Sequence, residues 1–192
     1  MNFFESLKIT GHLQISKWYP DGKEEIVFDD HNIIVSGFGV GLSYLMTLSG
    51  SNNIVDYQLD RFQVGVSSYD TEVSTIFQLS APLSTVAQYG SPNTNVLLVS
   101  ATQIINGLNS ANKVFGLIPF KNVTRINSTS VRYTIVLDEE TANDLTLREI
   151  GLFMKNPRGD IPSASILCAY RKFSPIAKTS DFALAFKWTI SF

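Results

Sequence analysis

The sequence of 192 residues predicts an all-β fold, an antiparallel β-sandwich with one short helix. Apolar and polar residues alternate in many short segments, turn-forming Pro, Gly, Asp and Asn separate these segments, and one segment has a helical pattern. This pattern predicts about nine strands. We expect residues 1–192 to form a single domain, because a chain of this length fits one large hydrophobic core.

The amino-terminal part predicts a β-hairpin. From Leu7 to Ile15 the odd positions are mostly apolar and the even positions polar, which is typical of a half-buried strand. Pro20-Asp21-Gly22 provides a turn, and Glu24–Phe28 is the predicted return strand. We expect the acidic pair Asp29-Asp30 that follows, like the later run 138–140, to lie in a solvated turn.

One helix is predicted over residues 37–48, with Ser36 as its N-cap. An irregular apolar stripe supports it, formed by Val40, Leu45, Met46 and Leu48. Glycines at positions 37, 39 and 41 weaken the intrinsic helicity of this segment. We therefore expect the helix to form because it packs on a sheet.

Further short strands are predicted along the rest of the chain, over residues 58–67, 95–103, 112–119, 123–126, 131–137, 145–154 and 163–173. Residues 67–94 are rich in Ser and Thr and contain two prolines, which favours an extended loop. A loop of this length is uncommon inside a compact domain, so it is interpreted as a possible arm that contacts another chain.

The carboxy-terminal segment Asp181–Phe192 has the clearest strand pattern. Large apolar residues occupy every second position, namely Phe182, Leu184, Phe186, Trp188, Ile190 and Phe192. A face of six large apolar residues indicates that the strand lies either at the centre of the core or in an interface. The small residues Ala183 and Ala185 on the opposite face suit close packing there too, so we expect a central strand that is covered on both faces.

Composition and charge exclude several classes of protein. With 44% hydrophobic and 17% charged residues, the chain is too apolar to be disordered. The net charge of −2 and the lack of a basic block argue against nucleic-acid binding. The single cysteine, Cys168, predicts a buried inert thiol and folding in a reducing cytoplasm. We expect no membrane span and no secretory signal.

The sequence contains no recognisable catalytic pattern. Its two histidines, His12 and His31, lie in no nucleophile or metal motif, and no G-x-S-x-G elbow is present. The run Gly37-Phe38-Gly39-Val40-Gly41 lacks the spacing of a phosphate-binding loop, and Arg158-Gly159-Asp160 is interpreted as a turn. We therefore predict no catalytic, cofactor-binding or metal-binding residues and a protein that is not an enzyme.

Glu149 lies in the predicted strand 145–154, which is otherwise mainly apolar. If it is buried, it needs a partner, for which the sequence offers Arg148, Arg171 or Lys172. A structural ion pair fits this position better than a catalytic acid does. The change Glu149→Ala is predicted to weaken folding or assembly.

The order of several short segments resembles one class of protein. Asn32–Gly37 precedes the helix and Phe62–Ser67 follows it, and the later segments are Leu147–Phe153, Ala169–Lys178 and Phe186–Phe192. The chain thereby resembles small structural proteins of tailed-bacteriophage virions, in particular tail, baseplate and fibre-attachment components with an E-x-G-L-F strand and a W-x-I-x-F end. It departs from them at residues 66–68, where Val-Ser-Ser replaces a Gly-Thr-Gly-like turn.

This resemblance implies a virion protein that is made in the host cytoplasm and forms a ring, collar or fibre-adaptor layer on the tail or baseplate. Such a protein works through homo-oligomer contacts and contacts with other virion proteins. The candidate structural or interface residues are Glu149, Phe153, Phe186, Trp188 and Phe192.

Three alternatives stay open at this point. The chain could be a receptor- or carbohydrate-binding β-sandwich of a tail fibre, in which exposed Trp18, Tyr19 and Tyr69 would stack on sugars. It could also be a head or neck decoration protein, which the sequence does not separate from a tail component. An outer-membrane barrel would explain the aromatic last strand, but the absence of a signal sequence and of other outward apolar bands disfavours it.

Overall fold

A computed structural model describes residues 9–47, 57–66, 88–89, 115–155 and 165–192. Some sequence predictions lie outside these residues. They are the strand at 95–103, the turn at 156–160, the aromatic ring of Tyr69 and, apart from residues 88–89, the loop or arm at 67–94.

Strands dominate the described part of the chain, and one α-helix lies among them. The helix α1 spans Ser36–Thr47, and a short 3-10 turn spans Phe120–Asn122. The strands are β1 (Thr10–Trp18), β2 (Glu24–Ile34), β3 (Leu59–Gly65), β4 (Gln88–Tyr89), β5 (Phe115–Leu117), β6 (Val123–Arg125), β7 (Ser130–Leu137), β8 (Thr146–Lys155), β9 (Ser165–Ala177) and β10 (Ala183–Ser191). The predicted all-β class with one short helix is confirmed.

The strands form one curled sheet in the order β5-β3-β8-β9-β2-β1-β10-β7-β6, with β4 paired to β9 outside this path. The β4–β9 pair is parallel, and the other described pairs are antiparallel. Side chains from both parts of the sheet, including those of β1, β7 and β10 and those of β3, β8 and β9, pack into one core. The sheet is continuous through β2, so a sandwich of two separate sheets is not confirmed.

The predicted amino-terminal hairpin is present, and its return strand is longer than predicted. The Gly22 N–H donates to the Tyr19 carbonyl at 3.0 Å, and Gly22 has a φ of 85°, which favours glycine. The prediction that Asp29-Asp30 lies in a turn is wrong, because β2 continues to Ile34. Both carboxylates have partners from neighbouring strands, since Gln14 donates to Asp29 and Arg171 donates to Asp30. The acidic run 138–140 does begin a turn.

Helix α1 packs on the sheet, as expected from the sequence, and two of its three glycines allow the close approach. A Cβ atom at Gly37 would overlap the carbonyl oxygen of Leu167 on β9, and one at Gly41 would overlap Sδ of Met154 on β8. Both glycines are buried, as is Phe38 between them. The helix therefore gives up intrinsic helicity for a close approach to the sheet.

Strand β10 is central, between β1 and β7, as the sequence predicted. The side chains of Phe186 and Trp188 are fully buried, and Ala183 and Ala185 on the opposite face are buried too. Phe192 is an exception to the predicted buried face, because the strand ends at Ser191 and 47% of Phe192 is exposed.

Strand β9 extends beyond its predicted end at Phe173 to Ala177. The register with β8 shifts between Leu147 and Glu149, and Pro175 lies in the part of β9 opposite this irregularity. Proline is tolerated there because a bulge leaves a residue without a ladder hydrogen bond.

Candidate interaction surface

An apolar groove lies beside α1. It is next to the short connection that joins β5, at one edge of the sheet, to β6, at the other edge. Its volume is about 390 Å³. It is lined by Phe38, Gly41, Leu42, Leu45, Tyr57, Gln58, Leu59, Asp60, Ile118, Phe120, Val123, Tyr133, Met154 and Phe192. The sheet path ends in the short strands β5 and β6, and residues 118–122 join them next to the groove.

The inner part of the groove belongs to the main core. Phe38 comes from the helix, Leu59 from β3 and Met154 from β8, and all three are buried. The floor is therefore fixed by elements that also hold the sheet together. A ligand in the groove would contact a preformed apolar surface, which lowers the entropic cost of binding.

The rim of the groove carries large apolar side chains that reach solvent. Leu45 is 45% exposed, Phe192 is 47% exposed and Phe120 is 90% exposed. The Phe192 ring lies 6.4 Å from the ring of Phe38, which links the carboxy terminus to the helix. Single exposed apolar residues are common, but a cluster around an apolar groove is typical of an interaction site.

The turn that presents Phe120 is anchored at both sides. Pro119 precedes the ring with a φ of −57°, and the Asn122 N–H donates to the Pro119 carbonyl at 2.8 Å. One residue earlier, the Ile118 N–H donates to the Asp60 carbonyl at 2.6 Å. Hydrogen bonds therefore fix the backbone that carries the exposed ring. Val123, the residue after the turn, begins β6.

Few charged groups reach this groove. Asp60 lines it, and both carboxylate oxygens of Asp60 accept hydrogen bonds from Arg61, at 2.7 and 3.2 Å. The Arg61 guanidinium also donates to Ser165 at 3.2 Å. Burial raises the pKa of Tyr133 to about 12, so this lining residue is neutral at physiological pH. The surface is suited to apolar contacts with a polar edge.

Of the five candidate residues that the sequence indicated, Phe192 lies at the groove. Phe186 and Trp188 belong to the main core. Phe153 belongs to a second buried cluster with Val35, Leu167 and Tyr170, on the other face of β8 and β9. The structure thus distributes the candidates over three places.

Glu149 lies close to the second cluster and is fully buried. The Tyr170 hydroxyl donates to Oε2 of Glu149 at 2.8 Å. The sequence did not indicate this tyrosine as a partner. Of the residues that it did indicate, Arg171 binds Asp30 with a distance of 2.7 Å, and Lys172 is the cross-strand neighbour of Glu149 on β9.

Two of the three aromatic residues proposed for sugar stacking, Trp18 and Tyr19, are half-buried at the hairpin, and the third, Tyr69, lies outside the described residues. Tyr19 packs against Phe182, with ring centroids 5.9 Å apart, and its hydroxyl donates to Glu25 at 2.8 Å. Nζ of Lys187 lies 5.6 Å from the Trp18 ring. Both rings therefore have neighbours within the chain, and carbohydrate binding stays a prediction.

The two histidines lie side by side on β1 and β2. Nε2 of His12 is 2.7 Å from Oδ1 of Asp29, and the rings of His12 and His31 are 5.9 Å apart. Across the described ranges, no group of three or more His, Cys, Asp or Glu side chains could hold a metal ion. Within the same ranges, no helix is both long enough and apolar enough to cross a membrane.

Sequence reasoning missed the groove because it assigned Phe120 to no element. The predicted strand 112–119 stops before this residue, and the next one begins at Val123. An aromatic residue between a proline and a lysine, in a short connection between strands, was the available signal. It could have marked Phe120 as an exposed anchor residue.

No protein-family model, no curated protein and no solved structure matches this chain.

Proposed function

We propose that the chain is a non-enzymatic structural component of a bacteriophage virion, which works through protein–protein contacts in a ring, collar or fibre-adaptor layer of the tail or baseplate. The protein would be made in the host cytoplasm and reside in the virion. Its partners would be other copies of itself and other virion proteins.

The observation that carries this proposal is the apolar groove with its exposed rim. Interfaces are centred on aromatic and aliphatic side chains that pack into pockets, with polar groups around them. Leu45, Phe120 and Phe192 provide such anchors, and Asp60 provides a polar edge. Burying one large apolar side chain contributes about 1.5–3 kcal/mol, so this surface favours association over exposure to water.

The virion part of the proposal rests on the resemblance of the short segments. The E-x-G-L-F segment lies in β8, and the W-x-I-x-F segment ends β10 and extends to Phe192 at the groove rim. These segments therefore contribute to both the core and the proposed contact surface.

Purified particles provide the direct test. Intact virions from the infected host would be separated on a density gradient and digested, and peptides of this chain would be quantified by mass spectrometry. We expect the chain in the particle fractions at a fixed copy number relative to the other tail proteins. Its recovery in the soluble fraction alone, with none in the particles, would contradict the proposal.

A further inference from the structure

We infer that the floor of the groove is a binding site for a small neutral aromatic molecule with one hydrogen-bonding group, which the Tyr133 hydroxyl recognises. The inference goes beyond the proposed function, because that function uses the rim residues Leu45, Phe120 and Phe192 for protein contacts. The site on the floor depends on the Tyr133 hydroxyl, on the buried apolar groups of the groove and on the size of the groove.

The Tyr133 hydroxyl is a polar group in an apolar place. Tyr133 belongs to the main core, lines the groove and is only 8% exposed. Within the described ranges, its hydroxyl has no hydrogen-bond partner on the protein. The oxygen is not fully enclosed, so it faces the open space that Tyr133 borders, which is the groove. Because buried polar groups are normally hydrogen-bonded, a molecule in the groove gains a hydrogen bond at this point.

Two other tyrosine hydroxyls show the usual alternative. The Tyr19 hydroxyl donates to Glu25 at 2.8 Å, and the Tyr170 hydroxyl donates to Glu149 at 2.8 Å. These hydroxyls are used to hold the fold together. The Tyr133 hydroxyl is not used in this way, so it is available to a ligand without the loss of a protein contact.

The other buried groups of the groove favour an aromatic ligand. Phe38, Ile118 and Met154 line the groove and are at most 6% exposed. Aromatic rings pack well edge to face, and a thioether sulfur makes favourable contacts with a ring edge. These side chains come from α1, from the connection after β5 and from β8, so the surface is formed before a ligand binds.

The size and charge of the groove limit the ligand further. Its volume of about 390 Å³ lies within the range of about 300–1,000 Å³ that is typical of small-molecule sites. The Asp60 carboxylate lines the groove, but both of its oxygens accept hydrogen bonds from Arg61. An anionic ligand would meet this carboxylate, and a cationic ligand would find its oxygens already engaged. A neutral ligand avoids both costs.

The hydrogen bond can be tested with two small molecules that differ by one hydroxyl. Thymol is a phenol, and para-cymene has the same ring and alkyl groups without the hydroxyl. Equilibrium dialysis in sealed cells measures the binding of each to the full chain. We expect saturable binding of thymol with a dissociation constant below about 1 mM. Tyr133→Phe should weaken thymol binding about 3- to 10-fold and leave the affinity for para-cymene unchanged.

Tyr19→Phe is the matched control, because Tyr19 does not line the groove. It should leave the affinity for both molecules unchanged. Thermal unfolding provides a second readout, since loss of a hydroxyl without a protein partner should not lower the melting temperature of Tyr133→Phe. A structural role of the hydroxyl would lower it.

The position of the ligand can be tested in the unchanged protein by NMR with methyl-labelled methionine. Met154 lines the groove, whereas Met46 is 86% exposed and does not line it. We expect thymol to shift the methyl resonance of Met154 and to leave that of Met46 in place.

The outcomes separate this inference from the proposed function. An absence of saturable thymol binding, equal losses of thymol and para-cymene affinity in Tyr133→Phe, or a shift of Met46 without Met154 would overturn the inference. Thymol binding that Tyr133→Phe does not weaken would overturn it as well. A chain that enters particles but does not bind thymol would leave the virion role standing. Tyr133-dependent binding by a chain that is absent from particles would support the inference and contradict the virion role.

Discussion

The two parts of the curled sheet differ in what covers their outer face. In the part formed by β1, β10 and β7, the outer face carries half-buried polar residues such as Gln14, Thr134 and Lys187, and it is buried at the start of β10, at Ala183 and Ala185. In the part formed by β3, β8 and β9, the reverse face is buried as well, and Phe153 and Tyr170 are among its fully buried residues.

This difference in burial determines how much a substitution on the outer face lowers the free energy of unfolding. An outer side chain that reaches water can be exchanged with little change in solvation. A residue on a buried reverse face has packing partners and, if it is polar, needs a hydrogen bond. The second part of the sheet is therefore expected to be the more sensitive to substitution on the side away from the main core.

The largest expected effect is that of Phe153→Ala. The change removes a fully buried ring from the cluster with Val35, Leu167 and Tyr170, and should lower the free energy of unfolding by about 3–5 kcal/mol. Thr134→Ala on the outer face of β7 is the matched control and should cost less than about 1 kcal/mol. Urea unfolding followed by tryptophan fluorescence measures both. Equal costs would remove the distinction between the two faces.

Glu149→Ala is expected to have an intermediate effect. It leaves the Tyr170 hydroxyl in a buried site without the carboxylate that accepts its hydrogen bond, which costs about 1–3 kcal/mol. Glu140→Ala, in the exposed turn after β7, is the control. A shared hydrogen bond predicts that Glu149→Ala and Tyr170→Phe are not additive in urea unfolding. Full additivity would contradict the pairing.

The smallest expected effect on stability is that of removing an exposed ion pair, between Lys187 and Glu24, in the part of the sheet formed by β1, β10 and β7. The hydrogen bond from Lys187 is the largest of the interactions that lower the pKa of Glu24 from 4.5 to about 2. The folded state therefore holds this proton less tightly than the unfolded state, so the pair stabilises the fold above pH 4.5 and its contribution is lost as the pH falls toward 2.

Because Glu24 is substantially exposed, this contribution should be below about 1 kcal/mol. Glu24→Gln should make the free energy of unfolding less dependent on pH between 4.5 and 2 than it is in the unchanged protein. The measurement is urea unfolding at a series of acidic pH values. An unchanged slope would show that Glu24 has the same pKa in both states.

The sequence predicted most of the fold because the first part of the sheet has strong alternation. Strand β10 could be recognised from Phe186 and Trp188, and the hairpin from its Pro20-Asp21-Gly22 turn. The extension of β2 through Asp29-Asp30 could not, because acidic residues favour turns unless neighbouring strands provide partners. Those partners, Gln14 and Arg171, are distant in sequence.

The candidate site was harder to predict than the fold. Regular alternation in the sequence points to large residues in strands, and these are the residues that build a core, such as Trp188 and Phe153. The groove depends on Leu45, Phe120 and Phe192, which come from three distant parts of the chain. Periodicity reports which face of an element is buried, but it does not report where the ends of separate elements meet.

The copy number of groove variants in virions tests the central claim most directly. To test the proposed virion role, phage genomes that encode Phe120→Ser or the control Ile26→Ser would be propagated with the unchanged protein supplied in trans. Ile26 is an exposed apolar residue of β2 that does not line the groove. Particles from a final round without that supply would then be analysed by quantitative mass spectrometry. We expect Ile26→Ser at the normal copy number and Phe120→Ser to be depleted or absent. Normal incorporation of Phe120→Ser would contradict assembly through this groove.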